Sequence, residues 1–426
     1  MYQASNEEGR SLLMDANVRG YGARGDGTTD DRDAFQRALD AMAKTGGTVY
    51  VPPGKYRIRS PLEVPEQVGL IGPMQTAHTT NLERGSVLLA EAGHGNDDGP
   101  ALITLGENSS VRGLAVHYPL QSEEKVVPYP WTIKVRGTNA GVLDMLLTNP
   151  FQAIDLSTSA PRHHIRNLNA QPLYRGILLD NCFDIGKIEN VHLWPFWSQK
   201  RPVWEFMREH GVAFEIGRCD WEYMTNCFAI FYGVGFRFFA GENGPGNALL
   251  THCGADLGPV AVRVEQTQEH SGVSFSNSQF MAGIEVGPEN AGPVKFTACG
   301  FWGIEDTGAH AVLEGPATTT FTGCHFTAWD REDKGEPAIR LDGGSLIVNG
   351  CDFHDAGKKQ IKAGEGAESV IVVGNRLRGG AELEIAPSVE AQVGFNTYKG
   401  GAPANELLRP SQILKIYPAK EETAHE

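Results

Sequence analysis

The chain has 426 residues, 51 of them glycine, and a formal net charge of −15 at pH 7. Such an acidic balance argues against nucleic acid or an anionic membrane surface as partner, since both reward clustered Lys and Arg. No run of 18 apolar residues occurs, so no membrane-spanning helix is expected.

Met1–Arg19 is polar and lacks a signal-peptide core. The ordered body is expected to open at Tyr21, with Gly22–Asp31 (GARGDGTTDD) followed by an amphipathic helix. Ala34, Phe35, Ala38, Leu39 and Met42 form its apolar stripe, and Gly46 ends it. The strand Thr48–Val51, the turn Pro52-Pro53-Gly54 and Tyr56 come next. This stretch resembles the N-terminal signature of the pectate-lyase-like superfamily, in particular its lyase-3 or polygalacturonase-related module. The resemblance implies a right-handed parallel β-helix whose open end is capped by the helix. It makes the acidic motif structural, and it implies a carbohydrate substrate. The compartment is left open, with a secreted or periplasmic setting expected over a cytoplasmic one. Expected boundaries are a tail at 1–18, a cap at 19–72, the β-helix at 73–398, and a C-terminal cap and tail at 399–426. Leu407, Leu408 and Ile413 are expected to cover the C-terminal end.

Gly69–Gly113 reads as irregular first coils, and Gly93-His94-Gly95 with Asp97 and Asp98 as a solvated loop. Beyond it a phrase recurs: Phe275–Phe280 (FSNSQF), Phe296–Phe301 (FTACGF), Phe321–Phe326 (FTGCHF) and Val348–Phe353 (VNGCDF). Its fourth residue marks the register at Leu114, Met145, Leu168, Val191, Cys227, Cys253, Ser278, Cys299, Cys324, Cys351, Asn375 and Asn396. A period in the low twenties with strand-like alternation and Gly/Asn punctuation predicts an all-β, single-stranded parallel solenoid. Cysteines sharing one register are expected to stack inward as small hydrophobes. No CxxC spacing supports zinc and no Asp cluster marks calcium, so no metal and no cofactor is expected.

Two intervals are long: 31 residues from Leu114 to Met145 and 36 from Val191 to Cys227. Both insertions leave about three residues past the marker, so they are expected to rise on the same side. The first carries His117, Tyr118, Tyr129 and Trp131, and the second Trp194, Trp197 and Trp204. Exposed aromatic rings on a rigid scaffold are suited to stacking on sugars. Ala328–Glu336 reads as a solvated charged turn. His163 and His164 are expected to be structural, and His192 lies closest to the aromatic loop.

A second strand follows each marker. Alternation points Ile154, Ile177, Phe214 and Phe236 inward, and Lys134, Asp155, Glu215, Arg237 and Arg263 outward in one column. Asp180, two residues past the column, points the same way. Asp155 and Glu215 should lie on the order of 9–10 Å apart at the backbone. Inverting glycosidases need carboxyl groups about 6.5–9.5 Å apart, one as acid and one to activate water. Asp155, Asp180 and Glu215 are therefore the candidate catalytic residues. Lys134, Tyr174, His192, Trp194, Trp197, Trp204, Arg237 and Arg263 are the candidate substrate contacts. Opposite charges at Lys134–Asp155 and Glu215–Arg237 also fit plain cross-strand ion pairing. Asp184 and Asp220 form a competing pair in a turn. The Asn-Thr-Asp-Gly pattern of polygalacturonases and the Arg-x-Pro-x-x-Arg pattern of calcium-dependent pectate lyases are both absent, so the resemblance transfers no reaction.

The expected function is glycosidic-bond cleavage in a polysaccharide or oligosaccharide, possibly acidic, by acid/base hydrolysis. The alternatives are β-elimination on a uronic acid, with Lys134, Arg237 or His192 as base and Arg263 neutralising the carboxylate, and a non-catalytic tailspike-like glycan binder. A homotrimer is a possible assembly.

Overall fold

The computed structural model describes residues 15–75, 81–303 and 308–399. Each coil lays down three short strands and returns one strand-spacing further along the axis. One ladder of 13 parallel strands runs from Leu62–Val64 to Leu383–Ile385 and is called face 3 here. The other two strands of each coil make faces 1 and 2, which share a 26-stranded ladder. They are joined because strands such as Gly141–Leu147 run through the corner between them. Gly141 pairs with Ser110 on face 1, and Leu146 pairs with Ala115 on face 2.

That corner is the physical cause of the repeat. The residue before each marker is left-handed: Asp144 (φ 54°), Asn167 (55°), Asn190 (53°), Asn226 (55°), Asn277 (49°) and Gly323 (63°) among them. Asn, Asp and Gly tolerate this region best. The outward Asn side chains also bond coil to coil, Asn167 to Asp144 at 2.7 Å, Asn190 to Asn167 at 2.9 Å and Asn226 to Asn190 at 2.8 Å. From Cys253 onward the turn leaves the marker's own N–H directed along the axis, where the next marker's Ser, Cys or Asn side chain receives it. Cys253 donates to Ser278 Oγ at 3.1 Å, Cys299 to Cys324 Sγ at 3.4 Å, and Cys351 to Asn375 Oδ1 at 2.8 Å. All seven cysteines are free and buried. Inside, Phe275, Phe296 and Phe321 stack at 5.4 and 5.1 Å, and Phe301, Phe326 and Phe353 at 4.8 and 4.6 Å.

Helix α1 (Arg32–Met42) buries Phe35, Ala38 and Leu39 against the first coils and caps the solenoid. Phe35 meets Tyr56 edge-on at 5.2 Å. The acidic motif ahead of it is structural. Asp31 is buried and accepts the Arg24 and Gly25 N–H groups at 2.7 and 3.0 Å. Asp26 accepts from Thr28 and Thr29, whose backbone N–H bonds hold its pKa well below the usual carboxylate range. Leu407, Leu408 and Ile413, expected to close the other end, lie outside the described residues. In the charged turn at 328–336 the solvated reading holds only in part. Trp329 and Asp330 are buried, because Asp330 folds inward to accept the Lys334 and Gly335 N–H groups at 2.8 and 2.9 Å.

Both insertions leave between faces 2 and 3 and rise together. Lys200 of the second reaches Glu123 and Glu124 of the first at 2.9 and 3.3 Å. The second insertion contains a helix, α2 (Arg201–His210), rather than an aromatic loop throughout. Pro202 starts it, and Val203 and Met207, four apart, bury its inner face.

Candidate functional site

Face 3 places the charged column in register. Lys134 pairs with Asp155, Asp155 with Leu178, Leu178 with Glu215, Glu215 with Arg237, Arg237 with Arg263, and Arg263 with Glu285. All of these point away from the Ile133, Ile154, Ile177, Phe214 and Phe236 core. Yet the outward side near the insertions is not open. Asp155 and Glu215 are only 2% and 3% exposed, whereas their partner cations are partly exposed. Asp155 takes Lys134 Nζ at 2.8 Å and the Ser157 N–H at 2.8 Å. Glu215 receives Arg175 through two N–H bonds at 2.5 and 3.0 Å and Arg237 at 3.3 Å. Arg237 also forks on to Glu265 at 2.7 and 3.0 Å.

Asp180 differs from both. It is half-buried, in line with Ser157 and Gly217, and diagonal to both Asp155 and Glu215, about 8 Å away backbone to backbone. Its Oδ1 accepts the Asn181 and Arg218 N–H groups at 3.0 and 2.8 Å, while among the described residues no side-chain or backbone donor is placed on Oδ2. A Cβ at Gly217 or Gly241 would come within 2.8 or 2.4 Å of the carboxylate, so two glycines make its cradle.

The aromatic candidates divide among three places. Tyr174 packs between Phe151 (5.0 Å) and Phe206 of α2 (6.4 Å), at the insertion edge of face 3. Beside it Trp131 carries the Arg175 guanidinium at 5.1 Å. Trp194 stacks on His192 at 5.3 Å and donates to Asn169 at 2.6 Å, which puts both on face 2, around the corner from the carboxylates. Trp197 packs against the core with its N–H on Gln171, and Trp204 leans toward Phe231 at 6.0 Å. Tyr118 and Tyr129, expected among exposed rings, are fully buried against each other at 4.6 Å; they wall the first insertion, and burial pushes Tyr129 up to about 12. The insertions thus fold on their own aromatics, leaving Trp131, Tyr174 and Phe206 at the head of the column.

Further along face 3, Arg263 borders an open groove of about 420 Å³. Glu265, Glu285, Glu314 and Arg340 line it, and Gly287 and Val312 lie beneath. The competing acids are tied into turns: Asp184 to Arg162 at 2.6 Å, and Asp220 to Arg218 at 3.1 Å. His164 faces Glu189 at 3.1 Å, and His163 is buried against Glu222 at 3.2 Å. Among the described residues no group of three or more His, Cys, Asp or Glu is arranged to hold a metal ion. Sequence reasoning missed Arg175. It shares the inward parity of Ile177 and Leu179, but it opens the strand and swings out to Glu215. A buried outward Glu215 with one nominal partner was the available signal.

Comparison with known proteins agrees with this architecture. Residues 16–101 match the family model described as rhamnogalacturonase A/epimerase, pectate lyase-like. Alginate lyase 7 of Azotobacter vinelandii is 59% identical over 46 residues, 11% of this chain and 5% of that protein. Mannuronan C5-epimerase AlgE6 of the same organism is 61% identical over 46 residues, with the same coverage. The chain thus matches only a small part of these relatives' length. The A-module structure of AlgE6 superposes with a TM-score of 0.54 at 18% identity, covering 91% of this chain and 99% of that one. The chain therefore has the pectate-lyase-like parallel β-helix fold, as the N-terminal motif implied.

Proposed function

We propose that this protein is a carbohydrate-active enzyme that cleaves glycosidic bonds in a polysaccharide lying along face 3. The observation that carries this reading is Asp180, a half-buried carboxylate whose Oδ2 takes no hydrogen bond among the described residues, set diagonally between the ion-paired Asp155 and Glu215. In a hydrolysis Asp180 donates a proton to the leaving oxygen and Asp155 or Glu215 activates water, and the backbone spacing of about 8 Å leaves room for an inverting arrangement. Lys134, Arg175 and Arg237 hold those two carboxylates in place. Tyr174 and Trp131 offer ring faces at one end, and Arg263 and Arg340 offer cations for acidic groups further along. His192, Trp194, Trp197 and Trp204 have no place in this version of the site.

Elimination on a uronic acid is the second reading, favoured by the names of the relatives, an alginate lyase and mannuronan epimerases. Both readings are tested by incubating the protein with neutral and acidic polysaccharides while following reducing ends and unsaturated-uronate absorbance together. Hydrolysis raises reducing ends alone, and elimination raises both. Asp180→Asn keeps the Oδ1 acceptor and should lower turnover by about 10²–10⁴-fold if Asp180 is the proton donor. Unchanged turnover in Asp180→Asn would remove it from the mechanism.

A further inference from the structure

Five of the eight exposed large apolar side chains among the described residues crowd one edge of face 1: Phe183 (43%), Ile185 (38%), Trp221 (43%), Tyr223 (37%) and Leu249 (41%). Register brings them together. Gly186 pairs with Glu222, which sets Ile185 beside Trp221, and Tyr223 pairs with Leu249 on the next coil. Three of the five are aromatic, and folding itself gains little from rings left this open.

The edge is also built to hold its shape. Trp221 stands in the left-handed region (φ 60°), costly for a bulky residue. Its N–H is held at 2.7 Å by Asn247 Oδ1, a side chain 2% exposed. Asn247 bonds to Gln268, and Gln268 donates to Asp220 at 2.8 Å. Arg218 links Asp220 (3.1 Å) to the Phe183 ring, over which its guanidinium lies at 5.3 Å. The backbone N–H of the same Arg218 is a ligand of Asp180 Oδ1. The edge is thus continuous with the carboxylate proposed to meet the substrate, around a single corner of the coil.

We infer that Phe183, Trp221 and Tyr223 form an ancillary glycan-binding platform that stacks pyranose rings of the chain whose cleavage is assigned to Asp180. This inference rests on the proposed function for the substrate class. Aromatic faces bind the C–H faces of sugars, and Arg218, Asp220 and the Arg162–Asp184 pair supply the rim that hydrogen-bonds their hydroxyls. Beyond the platform one outward column of face 1 continues as Thr225, Thr251, Ser276 and Thr297, short hydroxyl side chains, and the column in line with Tyr223 and Leu249 continues as Ser274 and the exposed Lys295. A second copy of the chain fits less well. Five side chains of on the order of 150–250 Å² each, all more than half covered, present a few hundred Å², against about 800 Å² per partner in a stable interface.

The test is affinity electrophoresis of the full chain in gels containing alginate, polygalacturonate or a neutral polysaccharide, with size-exclusion of each variant alongside. Wild type should be retarded by one of them, and Trp221→Ala/Tyr223→Ala should weaken that retardation about tenfold or more at an unchanged elution volume. Leu249→Ala, which removes no ring, should be retarded like wild type and serves as the folding control. Asp180→Asn should keep full retardation while losing turnover. Retardation dependent on Trp221 without any turnover would sustain the platform and remove the cleavage reading. Turnover with retardation indifferent to Trp221 would do the reverse. Absence of retardation in wild type overturns the platform, as does a drop to a smaller species in Trp221→Ala/Tyr223→Ala, which would make this edge a contact between copies.

Discussion

Two stretches of one solenoid use the same outward column differently. Between residues 131 and 239 the column lies under the insertions, and its carboxylates are buried against Lys134, Arg175 and Arg237. From Arg263 onward the same positions form half-exposed pairs such as Arg263–Glu285 (2.8 Å) and Lys362–Glu384 (3.1 Å). The coils there are uniform, with stacked phenylalanines inside and no insertion. Identical pairing chemistry therefore has different weight in the two stretches. The covered pairs are desolvated, so each partner depends on the other, while the open pairs are screened by water. The regular half supplies rigidity, and the interrupted half carries the proposed site.

The stacked half should give the largest stability loss. Phe321→Ala removes the ring shared by Phe296 and Phe326, and a cost of about 3–5 kcal/mol is expected in urea unfolding. A cost under about 1 kcal/mol would mean the stack relaxes to close the gap. In the interrupted half, burial would depress the pKa of His163, but the Glu222 charge and the imidazole's hydrogen bonds with Cys182 and Glu222 outweigh it, so the pKa is raised above 6.5. A raised folded-state pKa means this stability is fully present below about pH 6.5 and fades as pH rises through the folded value. His163→Gln should destabilise by about 3 kcal/mol at pH 6 and remove that alkaline slope; a parallel pH profile in the variant would assign the slope elsewhere.

Glu215→Gln and Glu285→Gln test the comparison directly. The first leaves Arg175 and Arg237 without their charge partner under cover, for a loss of about 2–3 kcal/mol; the second should cost under about 1 kcal/mol. Equal losses, read by thermal unfolding, would erase the distinction between covered and open columns. A similarly small effect is expected at the outer corner. Asn226→Ala loses one ladder bond and a residue suited to φ 55°, for about 1 kcal/mol.

The solenoid itself was legible from sequence because every coil solves one local problem in the same way. A left-handed residue turns the corner, an inward side chain fills the space behind it (in the later coils a Cys, Ser or Asn that accepts the freed N–H), and β-branched and aromatic residues alternate around it. Periodicity and parity are one-dimensional properties, so they gave the fold, the inward cysteines and the column from Lys134 to Arg263. The capping helix was equally readable from its apolar stripe. What lay beyond reach was whatever depends on how the insertions fold. Neither the burial of Tyr118 and Tyr129 nor the turn of Trp194 and His192 on to face 2 follows from spacing, because loops have no period to read. Arg175 swings out against its strand parity to meet the buried Glu215 on the next coil, 40 residues away. The platform at Trp221 depends on Asn247 and Gln268 arriving from the two following coils. Sequence by itself determined the scaffold, since repeated local geometry stacks in only one way. Tertiary structure alone decided which charges are covered and which rings are open, because those depend on contacts between coils and insertions that no single repeat encodes.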